Sequence, residues 1–207
     1  MVNAPAYEVL VMGIGNILWA DEGFGVRAVE RFHERFADDD AIRVIDGGTL
    51  GPYLMNEIVG AKRLLIFDCC DLKAAPGTLR VLREDDIKIW SATKISPHQT
   101  GMNDVLASAL LQGYEPEAMT VIGVQPAELE DYGGSLTEAV KARVDEAVAA
   151  AQEELARWGF ELNKRAEGDK PAPLGEKMLE IDPYEKERPS EAAACRTGDI
   201  RYLVKGA

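Results

Sequence analysis

Histidine and cysteine are scarce in this chain, basic residues are outnumbered, and long hydrophobic runs are missing. Only 2 histidines and 3 cysteines occur in 207 residues. No stretch approaches the ~20 uninterrupted apolar residues that a membrane span needs. The opening segment MVNAPAYEVLVMG has no basic stretch ahead of its apolar run, so it does not read as a secretory signal. Cys69 and Cys70 are adjacent and make a poor disulfide framework, which fits a reducing, cytoplasmic setting. Lys and Arg number 23 against 36 Asp and Glu, a net charge of −13. Residues 1–160 hold 14 of those bases and 26 of those acids, so the deficit lies almost wholly in the body of the chain. Such a surface repels phosphate backbones, and nucleic acid and anionic membranes are excluded as main partners. There is no GxSxG elbow and no plausible Ser–His–Asp or Cys–His set, which argues against a covalent nucleophile.

What is present is an alternation of short apolar runs and amphipathic stretches. Candidate strands lie at 8–13, 42–46, 63–69, 78–83 and 119–125. Three are dense in Val, Ile and Leu, as in strands buried on both faces. TLRVLR alternates apolar and polar residues and belongs at an edge, where it is free to run antiparallel. GFGVRAVERFHERF puts Val26, Val29, Phe32 and Phe36 on one helical stripe. PYLMNEIVG reads as a shorter helix with Pro52 in its first turn. TGMNDVLASALLQG spaces Met102, Val105, Leu106, Ala109 and Leu110 helically and stops at Gly113. A long helix is expected from a Ser135–Glu138 capping box to Gly159, with Leu136, Val140, Val144, Val148, Ala151 and Leu155 on one face. The pattern predicts a three-layer α/β/α domain over residues 1–160, built on a mostly parallel, twisted, five-stranded sheet. Residues 161–207 hold four of the ten prolines and mix charges without a sustained period. They predict an irregular extension, with IRYLV (200–204) as its one candidate docking segment.

Gly13 and Gly15 after the first strand match two glycines of a dinucleotide fingerprint, and Asp46 sits where a ribose-binding acid would. Leu18 occupies the third glycine position, and Ile17 and Trp19 make the turn bulky. The glycines read instead as close packing against the strand. In open α/β sheets, sites form beyond the carboxyl ends of the strands. Asp46 and Asp68 stand at two such ends; Asp21 and Glu22 open the first helix, where its dipole favours carboxylates. His98 lies in SPHQTG, expected to be a loop because of Pro97 and Gly101. Asp21 reads as a helix cap and Asp46 as a tie for the GGT turn. Asp68 follows four apolar residues, and leaving it there without a partner would be costly. His33, roughly 16 Å along the helix from Glu22, reads as a surface residue. Two carboxylates and one imidazole (Glu22, Asp68, His98) form a mixed oxygen and nitrogen site suited to borderline divalent ions, nickel and zinc among them. Adjacent strand residues point to opposite faces, so Cys69 and Cys70 cannot both join it and read as small hydrophobes.

The segments VLVMGIGNILWADEGFGVRAVE, IDGGTLG, LLIFDCCD, APGTLRVL, KISPHQTGMNDVL and VIGVQP resemble, in order and spacing, the hydrogenase maturation endopeptidases. The resemblance covers about residues 8–160 and rests on the GxGNxLxxDExxG segment and the SPHQ loop. It implies that Glu22, Asp68 and His98 contact the metal and carry catalysis. It also implies that the DGG segment, Asp46, Gly47 and Gly48, bears on substrate specificity. The implied activity is endopeptidase removal of a C-terminal extension from the precursor of the nickel–iron hydrogenase large subunit. The implied nickel is carried by that precursor, with metal held by the enzyme alone weak or absent, and the enzyme is expected to be a monomer. A non-proteolytic nickel checkpoint or delivery protein would use the same three ligands. A small-molecule nucleotide enzyme is the outside alternative.

Overall fold

The computed structural model describes residues 5–92 and 97–186, with side chains except at 88, 89, 91, 92 and 97–101. Its centre is a sheet of β1 (Tyr7–Ile14), β2 (Ile42–Gly48), β3 (Ala61–Cys69), β4 (Leu79–Arg83) and β5 (Ala118–Val124). The strand order is β2-β1-β3-β5-β4. All neighbours are parallel except β4, which runs antiparallel to β5 at the edge, as the alternating TLRVLR suggested. The three strands with unbroken apolar runs are the three internal ones. Val9–Met12, Leu64–Phe67, Val121 and Ile122 are fully shielded.

Helices cover both faces. α1 (Phe24–Arg35) and α6 (Val144–Arg157) pack on one side through Phe24, Val29, Phe32, Val148, Ala151 and Leu155. α2 (Met55–Val59) and α4 (Pro97–Leu111) cover the other through Ile58, Met102, Val105 and Ala109. Cys69 belongs to the first core and Cys70 to the second, as strand alternation requires. Leu110 is 59 % exposed and so lies off the buried face of α4, contrary to the expected stripe. Gly113 and Gly159 end α4 and α6 at positive φ, with Tyr114 and Phe160 amides bonded back to Ala109 and Leu155 carbonyls.

Three elements depart from expectation. An extra helix, α3 (Asp85–Ala92), follows β4; its eight residues carry no sustained apolar stripe to announce it. The long helix before Gly159 is two, α5 (Glu138–Lys141) and α6, separated where the Arg143 amide tightens onto Val140. The capping box is not formed: the Ser135 hydroxyl donates to Glu185, and Thr137 stands at the N-cap position with its own side chain engaged elsewhere. Finally, α4 starts at Pro97, so His98 lies in its first turn and not in a loop. Proline is at home there, since its missing N–H is one a first turn leaves unused.

Among the described residues, 161–186 are irregular apart from a short 3-10 turn (Lys177–Leu179) and α7 (Ile181–Lys186). They nevertheless lie against the α1 side. Leu162 and Leu174 pack on that core, and buried Arg27 donates to the Leu179 carbonyl at 2.6 Å and faces the Tyr184 ring. The Lys141 ammonium and the Ser135 hydroxyl both hold Glu185. The IRYLV segment falls outside the described residues.

Candidate active site

The carboxyl ends of β1 and β3 are joined by glycine contacts. A Cβ on Gly13 would collide with the Gly25 carbonyl, and one on Gly25 with the carbonyls of Ile14 and Phe67. Gly15, at φ +132, leaves no room between itself and the Glu22 carbonyl. The glycine pair therefore seats the start of α1 on the sheet, as close packing predicted, and leaves no phosphate cradle. The connection is a 3-10 turn, Ala20–Gly23, entered through Ala20 at φ +45 and packed against β3.

This turn delivers Glu22 just ahead of α1, 8 % exposed, at the positive end of the helix dipole. Asp68, 3 % exposed, ends the apolar run of β3. Both carboxylates, with Asp21, lie close enough to Cys69 to act on its thiol. Burial first, then Asp68, Cys70, Asp21 and Glu22 push that thiol well above its ordinary range. Burial and Asp68 do the same to Cys70. Both free thiols therefore stay protonated at neutral pH, which makes them poor nucleophiles. The side chain of His98 lies outside the described residues. Among the described residues, no three His, Cys, Asp or Glu side chains are grouped closely enough to hold an ion.

A tryptophan joins the site unannounced. The Trp90 indole N–H, from α3, donates to Asp68 Oδ2 at 2.8 Å, both residues being buried. A charge-assisted bond from a rigid indole fixes the carboxylate's rotation. Only the unforeseen helix α3 brings Trp90 there.

Asp21 is not a helix cap. It is wholly buried, and Oδ2 accepts from the Ala127 and Glu128 amides and the Thr137 hydroxyl, Oδ1 from the Thr137 amide. Its role is to anchor the 126–137 loop against the turn that carries Glu22. Trp19 stacks edge-on with Tyr132 of that loop at 5.1 Å, and with Leu18 they form an exposed apolar lip. Asp46 engages the GGT turn through the Gly48 amide, which faces its carboxyl. Its buried Oδ1 has no hydrogen-bond partner among the described residues, and the turn is closed by the Leu50 amide on Gly47. Burial pushes the Asp46 carboxyl up, offset only in part by the Gly48 amide and Arg27. Gly48, at φ +38, follows a bulge at Gly47 and accepts from the Gly15 amide, linking the end of β2 to the Glu22 turn. His33 is not freely exposed: its Nε2–H donates to the Ala172 carbonyl under the extension.

A sequence model of the family described as "Hydrogenase maturation protease" matches residues 26–154. The hydrogenase expression/formation protein HupD of Rhodobacter capsulatus is 50 % identical over 207 residues, covering 98 % of both chains. The hydrogenase 2 maturation protease of Escherichia coli is 38 % identical over 159 residues, 76 % of this chain and 96 % of its own. Among solved structures, the hydrogenase maturating endopeptidase HybD of E. coli superposes with a TM-score of 0.72 at 37 % identity, over 76 % of this chain and 98 % of its own. The fold and the order of the site segments thus define an α/β peptidase. The chain belongs to the hydrogenase maturation proteases.

Proposed function

We propose that this peptidase removes the C-terminal extension of the nickel–iron hydrogenase large-subunit precursor after nickel insertion, and that it recognises the nickel on that substrate. The observation that carries the reading is the placing of two buried carboxylates, Glu22 and Asp68, at adjoining strand ends. His98 is the third proposed ligand. Three protein donors leave a divalent ion with open positions, which the precursor's soft thiolates would fill. The ion then belongs to the complex, where it polarises the scissile carbonyl or activates water. Asp46, Gly47 and Gly48 are assigned to specificity for the precursor. No helix among the described residues is long and apolar enough to cross a membrane, and the expected setting is the cytoplasm.

The test is C-terminal processing of nickel-loaded and nickel-free precursor by one enzyme preparation. Discrimination of ~100-fold corresponds to about 2.7 kcal/mol, within the reach of one metal contact. Loaded precursor should be cut and empty precursor spared, with nickel ions added to the enzyme giving no rescue. Glu22→Ala, Asp68→Ala and His98→Ala should each abolish processing while remaining folded. Equal cutting of both precursors would overturn substrate-borne recognition. Binding without cutting would point to a checkpoint protein.

A further inference from the structure

Among the described residues, β2 pairs only with β1, and no further strand pairs with its outer edge. Val9 stands opposite Ile42 and its amide bonds the Ala41 carbonyl, so parallel alternation turns Ile42, Val44 and Asp46 away from β1. The Ile42 amide is taken by Asp39, whereas the amides of Val44 and Asp46 meet no backbone partner from any other element among the described residues. A cleft of about 770 Å³ runs along this edge. Phe32, Phe36 and Leu174 wall it on the α1 side, Leu54 and Tyr53 on the α2 side. Tyr53 and Leu50 stand at its rim, 87 % and 49 % exposed.

The charge of the cleft is one-sided. Asp38, Asp39, Asp40, Asp46 and Glu57 line it against Arg43 and His33. Arg43 is already committed to Glu57, and Asp38 to Arg165. Asp40 is exposed and has no ion-pair partner among the described residues. At its far end the strand reaches Gly48, whose carbonyl is bonded by Gly15 of the loop that leads to Glu22.

We infer that the β2 edge receives, as an added strand, the extended precursor segment next to the scissile bond, and that this segment carries basic residues. The inference rests on the function proposed above. Main-chain bonds to Val44 and Asp46 supply the pairing, and the two walls take alternate side chains. The acids draw basic residues, and Tyr53 offers an aromatic anchor of the kind that dominates interfaces. Continuity with Gly48 directs the segment toward Glu22 and Asp68.

The experiment is steady-state processing of nickel-loaded precursor by Val44→Pro, Tyr53→Ala and Asp40→Lys enzymes. Proline deletes the outward amide at a position where an edge strand tolerates it, and should raise KM ~10-fold with kcat within about twofold. The two surface variants should raise KM roughly threefold, and the effect of Asp40→Lys should fade in high salt. Should Val44→Pro fail to fold, the other two carry the kinetic test. Hydrogen exchange on the Asp68→Ala enzyme supplies a second readout: added precursor should protect the Val44 and Asp46 amides. Unchanged KM in the folded variants, or no protection at these amides while precursor is bound, would overturn the inference. Failure of the wild-type enzyme to cut precursor at all would instead strike the proposed function, and the exchange experiment would still decide whether the edge binds.

Discussion

At the β4 edge, Arg83 reaches across to α6 and grips Glu154 with Nε at 2.9 and 3.0 Å from its two oxygens, while Thr120 of β5 donates to the same carboxylate at 2.9 Å. At the β2 edge the nearest equivalent, Arg43 with Glu57, spans 3.5 Å in half-exposed surroundings, and Asp46 Oδ1 lies buried without a hydrogen-bond partner among the described residues. One edge is braced to the helix layer behind it; the other is left available. The braced edge is also the one that continues into α3 and so carries Trp90 to Asp68. Rigidity is concentrated where Asp68, the proposed catalytic carboxylate, is oriented, and openness where an extended chain could be admitted.

The sharpest way to break this contrast is Arg83→Met, which leaves Glu154 buried and ionised. A loss of about 2 kcal/mol is expected from chemical denaturation, below the ~3–5 kcal/mol of a fully stranded buried charge, because Arg83 is partly exposed and Thr120 and Arg157 still face Glu154. Next comes Trp90→Phe, which keeps the ring's bulk but removes the bond to Asp68. It should lower kcat ~10-fold with KM little changed, as expected for one hydrogen bond to a charged group; an unaltered kcat would return Trp90 to the core.

The edges should also answer acid with opposite signs. Burial alone would push the Glu154 carboxyl up, but Arg83 and Thr120 outweigh it and hold it below the usual glutamate range. Its contribution is therefore complete above the unfolded value and is lost as pH falls through the depressed one, so the melting-temperature gap between wild type and Arg83→Met should narrow in acid. Asp46 is pushed up by burial, so its ionised form disfavours folding at neutral pH and protonation relieves that cost. Asp46→Asn should accordingly stabilise by up to ~1 kcal/mol at pH 7, the gain disappearing below the Asp46 titration. The smallest effect is Arg43→Met, expected within ~0.5 kcal/mol, as for other exposed pairs.

The strands were legible because their apolar runs are dense and their order is repetitive. Asp68 stood out for a related reason: a carboxylate following LLIF has nowhere cheap to go. Helix α3 was hidden, since eight residues reading DDIKIWSA show no stripe, and Trp90 was hidden with it. The Ser135–Glu138 box misled because Glu185, 50 residues on, takes the Ser135 hydroxyl. Asp21 misled for the same kind of reason. Beside a helix start it looks like a local cap, and its four true donors lie 106 to 116 residues away. Pattern reading captures what neighbours impose; it is blind to partners that only the finished fold supplies.

Those long separations have a consequence for when the enzyme becomes competent. Asp21 stays in its buried position only if residues 127, 128 and 137 have arrived, and they come after every strand of the sheet has been made. Closing contacts of such span is among the late, slow events of folding. A partly synthesised or partly folded chain thus holds Glu22 on an unanchored turn. The turn that carries Glu22 is therefore fixed in place only once the whole domain has formed.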